Sequence, residues 1–312
     1  MRKLGIGLLL ISLVISLGFN VFMANYISRQ KIRAQSSLVF GDANSRDTYF
    51  TLHNVAKAHE ISKGKGVRVG VLDNFFGYNR HPELYSGGAD FSGKDSSYLE
   101  TEHHGYWMAV TLKEVAPEAE VYALGVDFDS EEKKVRTMID AIDWAIDNGL
   151  DVLTYSSSQF SEENERKLDS VVDKAIEKGI VTTFIHYYHP DNILPDGLFA
   201  YRGEMDYNRR EPDLNILHYD YNVMIVPRYL EYLSSGEDGR GNLTPPFFSI
   251  SSTSPVTAGF VALMKSVRSD LPPAEYKRIL METGRSLLYE GEDCPRVPDV
   301  YEAVKAVAEI AG

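Results

Sequence analysis

The chain has 312 residues, 44% of them hydrophobic, and a formal charge of −13 at pH 7. That length and apolar content support one large α/β core rather than a string of small modules. The negative balance, with no concentrated basic stretch, argues against nucleic acid as a partner. The single cysteine, Cys294, excludes an intramolecular disulfide and a cysteine-rich zinc site.

The strongest compositional break is at the N-terminus. After Met1-Arg2-Lys3, the run Leu4 to Ala24 carries no charge and one strongly polar residue, Asn20; Arg29, Lys31 and Arg33 follow. About 20 apolar residues span a bilayer, whereas the apolar part of a secretory signal runs to about 7 to 15. Residues 1–34 therefore read as a signal-anchor or signal peptide, with 4–24 contacting the membrane, and length favours the anchor. Basic residues flank both sides, so charge barely decides orientation. Residues 35–50 are polar and turn-forming and read as a linker, and 51–312 as one folded domain.

Within that domain a helix is expected over Thr51 to Ser62, ahead of a Gly64/Gly66 turn. Val67 to Leu72, Glu120 to Val126, Leu150 to Tyr155 and Ile180 to Ile185 are short runs rich in β-branched or aromatic residues, as buried parallel strands are. Between them Val135, Met138, Ile139, Ile142 and Ile146 fall at helical spacing, and so do Leu168, Val171, Val172, Ala175 and Ile176. Gly149 and Gly179 stand where each helix needs a left-handed cap. Strand, helix and strand in alternation predict right-handed crossovers and a doubly wound, mostly parallel sheet with helices on both faces. In such sheets the functional crevice lies beyond the carboxyl ends of the strands. The stretch from about Tyr187 to Phe248 is irregular and reads as surface loops. A last helix is expected from Pro255 through Met264, with the proline in its first turn.

Three segments carry chemistry. Val69-Gly70-Val71-Leu72-Asp73 ends an apolar strand on a carboxylate. His103-His104-Gly105 offers a general base, and Ser249-Ile250-Ser251-Ser252-Thr253-Ser254-Pro255 offers a nucleophile beside a helix start, where free N–H groups favour developing negative charge. Taken separately, each has a plain structural reading: a turn cap, a partly exposed histidine, a string of loop serines. Their order, Asp then His then Ser, is that of subtilisin and differs from chymotrypsin and the α/β-hydrolases.

The chain resembles the subtilisin-like serine proteases, and the likeness runs from about residue 54 to 310. Gly64-Lys65-Gly66-Val67 leads into the aspartate strand, and His81-Pro82-Glu83-Leu84, Val115-Ala116-Pro117 and Val297-Pro298-Asp299-Val300 each resemble family segments in order. The resemblance implies an Asp73, His104 and Ser251 triad, with His104 chosen over His103 because the family's histidine directly precedes glycine. It aligns Ser156, Ser157 and Ser158 with the segment that pairs with an extended peptide substrate. It implies a catalytic domain outside the cytoplasm, secreted if the N-terminal segment is cleaved, and a peptide or protein substrate. No cofactor is expected, and no acidic cluster is specific enough to name a calcium site.

Departures from the family bear on activity. The glycine expected two residues before the nucleophile is Ser249, and the family's Ser-Leu-Gly is three serines here. The Gly-Asn that supplies an oxyanion donor is replaced by His186-Tyr187-Tyr188-His189, which puts Tyr188 at the donor position. Tyrosine can donate there, or can simply line the pocket wall. Many relatives carry a folded pro-domain, whereas about 30 residues separate the apolar segment from the first expected helix, fewer than the roughly 40 a domain needs to fold alone. Two other readings stay open: an inactive subtilisin-like binding module, and a metal-dependent hydrolase using Asp73, His81, Glu102, His103 and His104.

Overall fold

The computed structural model describes residues 53–157, 160–184, 215–218, 223–226, 250–289 and 292–310. The expected signal-anchor over 1–34, the linker over 35–50, Ser158 and Tyr188 lie outside those residues. Among the described residues no helix is long and apolar enough to cross a membrane.

The helix expected over Thr51 to Ser62 is a single turn, α1, Val55–Ala58. Tertiary contacts override its local propensity. Asn54 is left-handed (φ 55°) and donates to Asp299 Oδ2 at 2.6 Å, and the N–H groups of Ile61 and Ser62 both return to the Ala58 carbonyl. The chain then passes through β1 (Arg68–Asp73), a 3-10 turn at Pro82–Leu84, β2 (Gly87–Asp90), α2 (Asp95–Leu99), α3 (His104–Val115), β3 (Glu120–Gly125), α4 (Glu131–Asp147), β4 (Val152–Tyr155), α5 (Glu162–Glu177) and β5 (Val181–Phe184). The two amphipathic helices are α4 and α5, and each ends ahead of its glycine, with φ of 64° at Gly149 and 81° at Gly179.

Within the stretch expected to be loops, β6 (Asn215–His218) and β7 (Val223–Val226) pair antiparallel; the rest of it lies outside the described residues. A 3-10 turn at Ile250–Ser252 runs into α6 (Thr253–Val267), followed by α7 (Pro273–Glu282), the antiparallel pair β8 (Arg285–Tyr289) and β9 (Glu292–Val297), and α8 (Val300–Glu309). The expected Pro255 helix therefore begins two residues earlier and ends three later, with the proline still in its first turn.

Strands β2-β3-β1-β4-β5 form one sheet, in that order, and every neighbouring pair is parallel. Alternation of side chains along each strand divides the core in two. Val69, Val71, Val121, Ala123, Val152 and Val181 face a cluster that includes residues of α3, α6 and α8, while Leu72, Leu124, Leu153, Tyr155 and Phe184 face one that includes residues of α4 and α5. Because the strand order reverses across β1, a crevice is expected beyond its carboxyl end. Asp73 is the last residue of that strand, in register with Gly125 at the end of β3.

Candidate active site

Asp73 is buried, with 2% of its surface exposed. Its Oδ1 accepts the Asn74 N–H at 2.8 Å, and its Oδ2 lies 2.7 Å from His104 Nδ1. The histidine opens α3, and that helix start is held by the chain leaving β1. Asn74 O accepts the Gly105 N–H at 2.9 Å, and Phe75 O accepts the N–H groups of His103 at 2.9 Å and Tyr106 at 3.3 Å. First-turn N–H groups that have no partner inside a helix are thus satisfied by the aspartate's own loop. The approach is so close that a Cβ at position 105 would sit 2.3 Å from Asn74 O. The His-Gly dipeptide is a packing requirement as well as a motif.

His104 keeps 24% of its side chain exposed. Burial disfavours its charged form, but the Asp73 charge and hydrogen bond outweigh burial and hold its pKa above the ordinary imidazole value near 6.5. With Asp73 ionised, Nδ1 carries the proton toward it, and a neutral ring then presents Nε2 as an acceptor. His103 stands at the N-cap position of α3 without a side-chain capping bond, and its ring meets Phe75 edge-on at 5.8 Å.

Ser251 is half-buried in the 3-10 turn that feeds α6. That turn packs against α3, the helix His104 opens, and α3 in turn packs along α6. The two helices approach where a Cβ on Gly259 would stand 2.5 Å from Val115 Cγ1. The start of α6 is also tied to the sheet by Ser254, which is buried: its hydroxyl lies 2.7 Å from Thr154 Oγ1 on β4 and donates to Thr183 O on β5, while Thr183 Oγ1 donates to Ser254 O at 3.3 Å. Ser156 and Ser157 leave β4 at the same edge of the sheet, the first buried and the second half-buried.

Other features gave no sequence signal. A cavity of about 360 Å³ opens on the β3 side of the Asp73 turn, lined among others by Phe75, Asp90, Lys94, Tyr98 and Asp129. Lys94 spans its edge, bonding to Asp129 and, at 2.9 Å, to Asp127; these bonds to the two carboxylates raise the Lys94 pKa. Lys94 precedes α2, while both aspartates lie in the loop after β3, so the pairing joins segments distant in sequence. Asp90 and the edge strand β2 sit in a Gly-Gly-Ala-Asp segment that lacks β-branched residues. The set weighed as a metal site separates: His81 and Glu102 bond to each other. Among the described residues no group of three or more His, Cys, Asp or Glu side chains is arranged to hold a metal ion.

The strand order of this parallel sheet reverses at β1, with an aspartate-bonded histidine at its carboxyl edge and the serine turn ahead of α6 packed against the helix that the histidine opens. Residues 64–185 match the model of the subtilase family. Over 139 residues the chain is 31% identical to a thermostable alkaline protease of Halalkalibacterium halodurans, which covers 41% of this chain and 37% of that one. Over 129 residues it is 33% identical to subtilisin E of Bacillus subtilis, covering 38% and 33%. The matched region thus spans little more than a third of these relatives' lengths. Fervidolysin from Fervidobacterium pennivorans, described as a keratinolytic enzyme related to subtilisin, shares the fold with a TM-score of 0.52 and 15% identity, over 86% of this chain and 47% of that one. Over these residues the chain is similar to the subtilases and to curated serine proteases of that kind.

Proposed function

We propose that the protein is a serine endopeptidase that cleaves peptide bonds through an acyl-enzyme at Ser251. The observation that carries this reading is the 2.7 Å contact between Asp73 Oδ2 and His104 Nδ1 at the carboxyl edge of the sheet. An imidazole oriented this way has its Nε2 available to take the Ser251 proton as the hydroxyl oxygen bonds to the scissile carbonyl carbon. The imidazolium then protonates the leaving amine as the C–N bond breaks. Water, deprotonated by the same nitrogen, hydrolyses the ester and restores the serine. Asp73 stabilises the imidazolium without itself taking up the proton. Ser156 and Ser157 offer backbone groups to an extended substrate, and residues 4–24 tether the catalytic domain outside the cytoplasm unless the segment is cleaved.

The test is turnover of a mixed peptide library by the full chain and by Ser251→Ala. Loss of the nucleophile is expected to lower kcat about 10⁶-fold. Cleavage that survives the substitution would remove Ser251 from the reaction. A folded wild-type protein that binds peptides but never cuts them would favour the binding-module reading, which the Ser249 substitution and the altered oxyanion segment at Tyr188 support.

A further inference from the structure

Asp73 and His104 belong to loops that run side by side. His103 N–H donates to Phe75 O at 2.9 Å, Phe76 and Glu102 form an antiparallel bridge, Gly77 N–H donates to Thr101 O at 2.9 Å, and Asn79 N–H donates to Leu99 O at 2.9 Å. This irregular ladder ends, at one side, directly against the Asp73–His104 hydrogen bond. It contains a strained residue there: Phe75 has φ 55°, a backbone state that a bulky side chain keeps only where its surroundings enforce it.

A clamp of side chains joins the same two loops. Glu102 is two residues before His104, and its carboxylate is forked between two residues of the loop that follows Asp73: Oε1 lies 2.6 Å from His81 Nε2, and Oε2 lies 2.8 Å from Arg80 Nη1. The His81 ring packs in turn on Tyr106 of α3, with centroids 4.5 Å apart. Glu102 is 18% exposed at its side chain, so this ion pair is shielded beyond the usual surface pair. The chemistry assigned to Ser251, His104 and Asp73 uses none of the three clamp residues.

We propose that Glu102, gripped by Arg80 and His81, is a positioning residue that holds the two loops in the register at which the Asp73–His104 hydrogen bond closes. The inference rests on the reading of Asp73 and His104 as the reacting pair. Its effect on rate follows from geometry, since a misplacement of about 1 Å at a reacting group costs about 10²-fold.

The direct test is the titration of His104, followed by NMR in the full chain labelled with ¹³C at histidine and held in detergent micelles, in wild type and in the double variant Arg80→Met/His81→Phe. The sign of the change separates positioning from a through-space field. Removing the Arg80 charge would by itself raise the His104 pKa. Loosening its bond to Asp73 lowers it instead, because burial is then unopposed. A downward shift is expected, with kcat reduced about 10²-fold and KM little changed. An unchanged or upward-shifted titration in the folded variant overturns the proposal. If the double variant does not fold, Arg80→Met alone is read by the same sign. A wild-type protein that cleaves nothing would sink the peptidase reading, while the titration would still decide the role of Glu102.

Discussion

His104 sits between opposing influences, burial against its charge and Asp73 in favour, and the second prevails. Its raised pKa has two consequences of opposite sign. The Asp73–imidazolium pair contributes stability in full below the ordinary imidazole pKa, and that contribution fades as pH rises through the folded-state value. The general base, in contrast, works only when neutral, so kcat/KM is expected to climb as pH rises through that same raised value. Asp73→Asn should move the lower limb of the pH–rate profile to lower pH and cut kcat about 10⁴-fold through loss of the correct tautomer; a limb that stays in place would detach Asp73 from His104. The Asp73–His104 pair was expected from a strand ending on a carboxylate and from the resemblance to a family whose histidine precedes glycine; the close approach of Gly105 to Asn74 O is what the structure adds. Phe75 was not legible. No local preference puts phenylalanine at φ 55°, and the nearby bonds of Glu102 to Arg80 and His81 join residues far apart in sequence.

At the level of elements, α4 and α5 were legible from apolar spacing and a terminal glycine, since each helix packs one stripe against the sheet. The strand β2 was not, because an edge strand made of Gly87, Gly88, Ala89 and Asp90 is specified by its pairing with β3 rather than by propensity. Helix α1 was overextended: left-handed Asn54, bonded to Asp299, precedes it, and the N–H groups of Ile61 and Ser62 turn back to Ala58 O beyond it. The decisive element for the site is the start of α6, and its anchor is Ser254. Ser254→Ala leaves the hydroxyl of Thr154 and the carbonyl of Thr183 short of a buried partner, which costs about 1–3 kcal/mol. Urea unfolding is expected to show that loss, together with reduced turnover. Full stability in the variant would mean that α6 is held by its apolar packing alone.

Over the whole molecule, the reversal of strand order at β1 puts Asp73 at the carboxyl edge of the sheet beside His104, and the turn that holds Ser251 packs against α3, the helix that His104 opens. The negative charge of −13 and the apolar run ahead of the domain fit a tethered catalytic unit acting on peptides, as proposed above. The central claim is that this assembly activates one serine. Mass-spectrometric mapping of a fluorophosphonate adduct on the intact protein tests it most directly. Among the many serines of the chain a single adduct is expected, at Ser251, lost when His104 is replaced by alanine. An adduct on another serine, one that persists without His104, or none on a folded protein would contradict the claim.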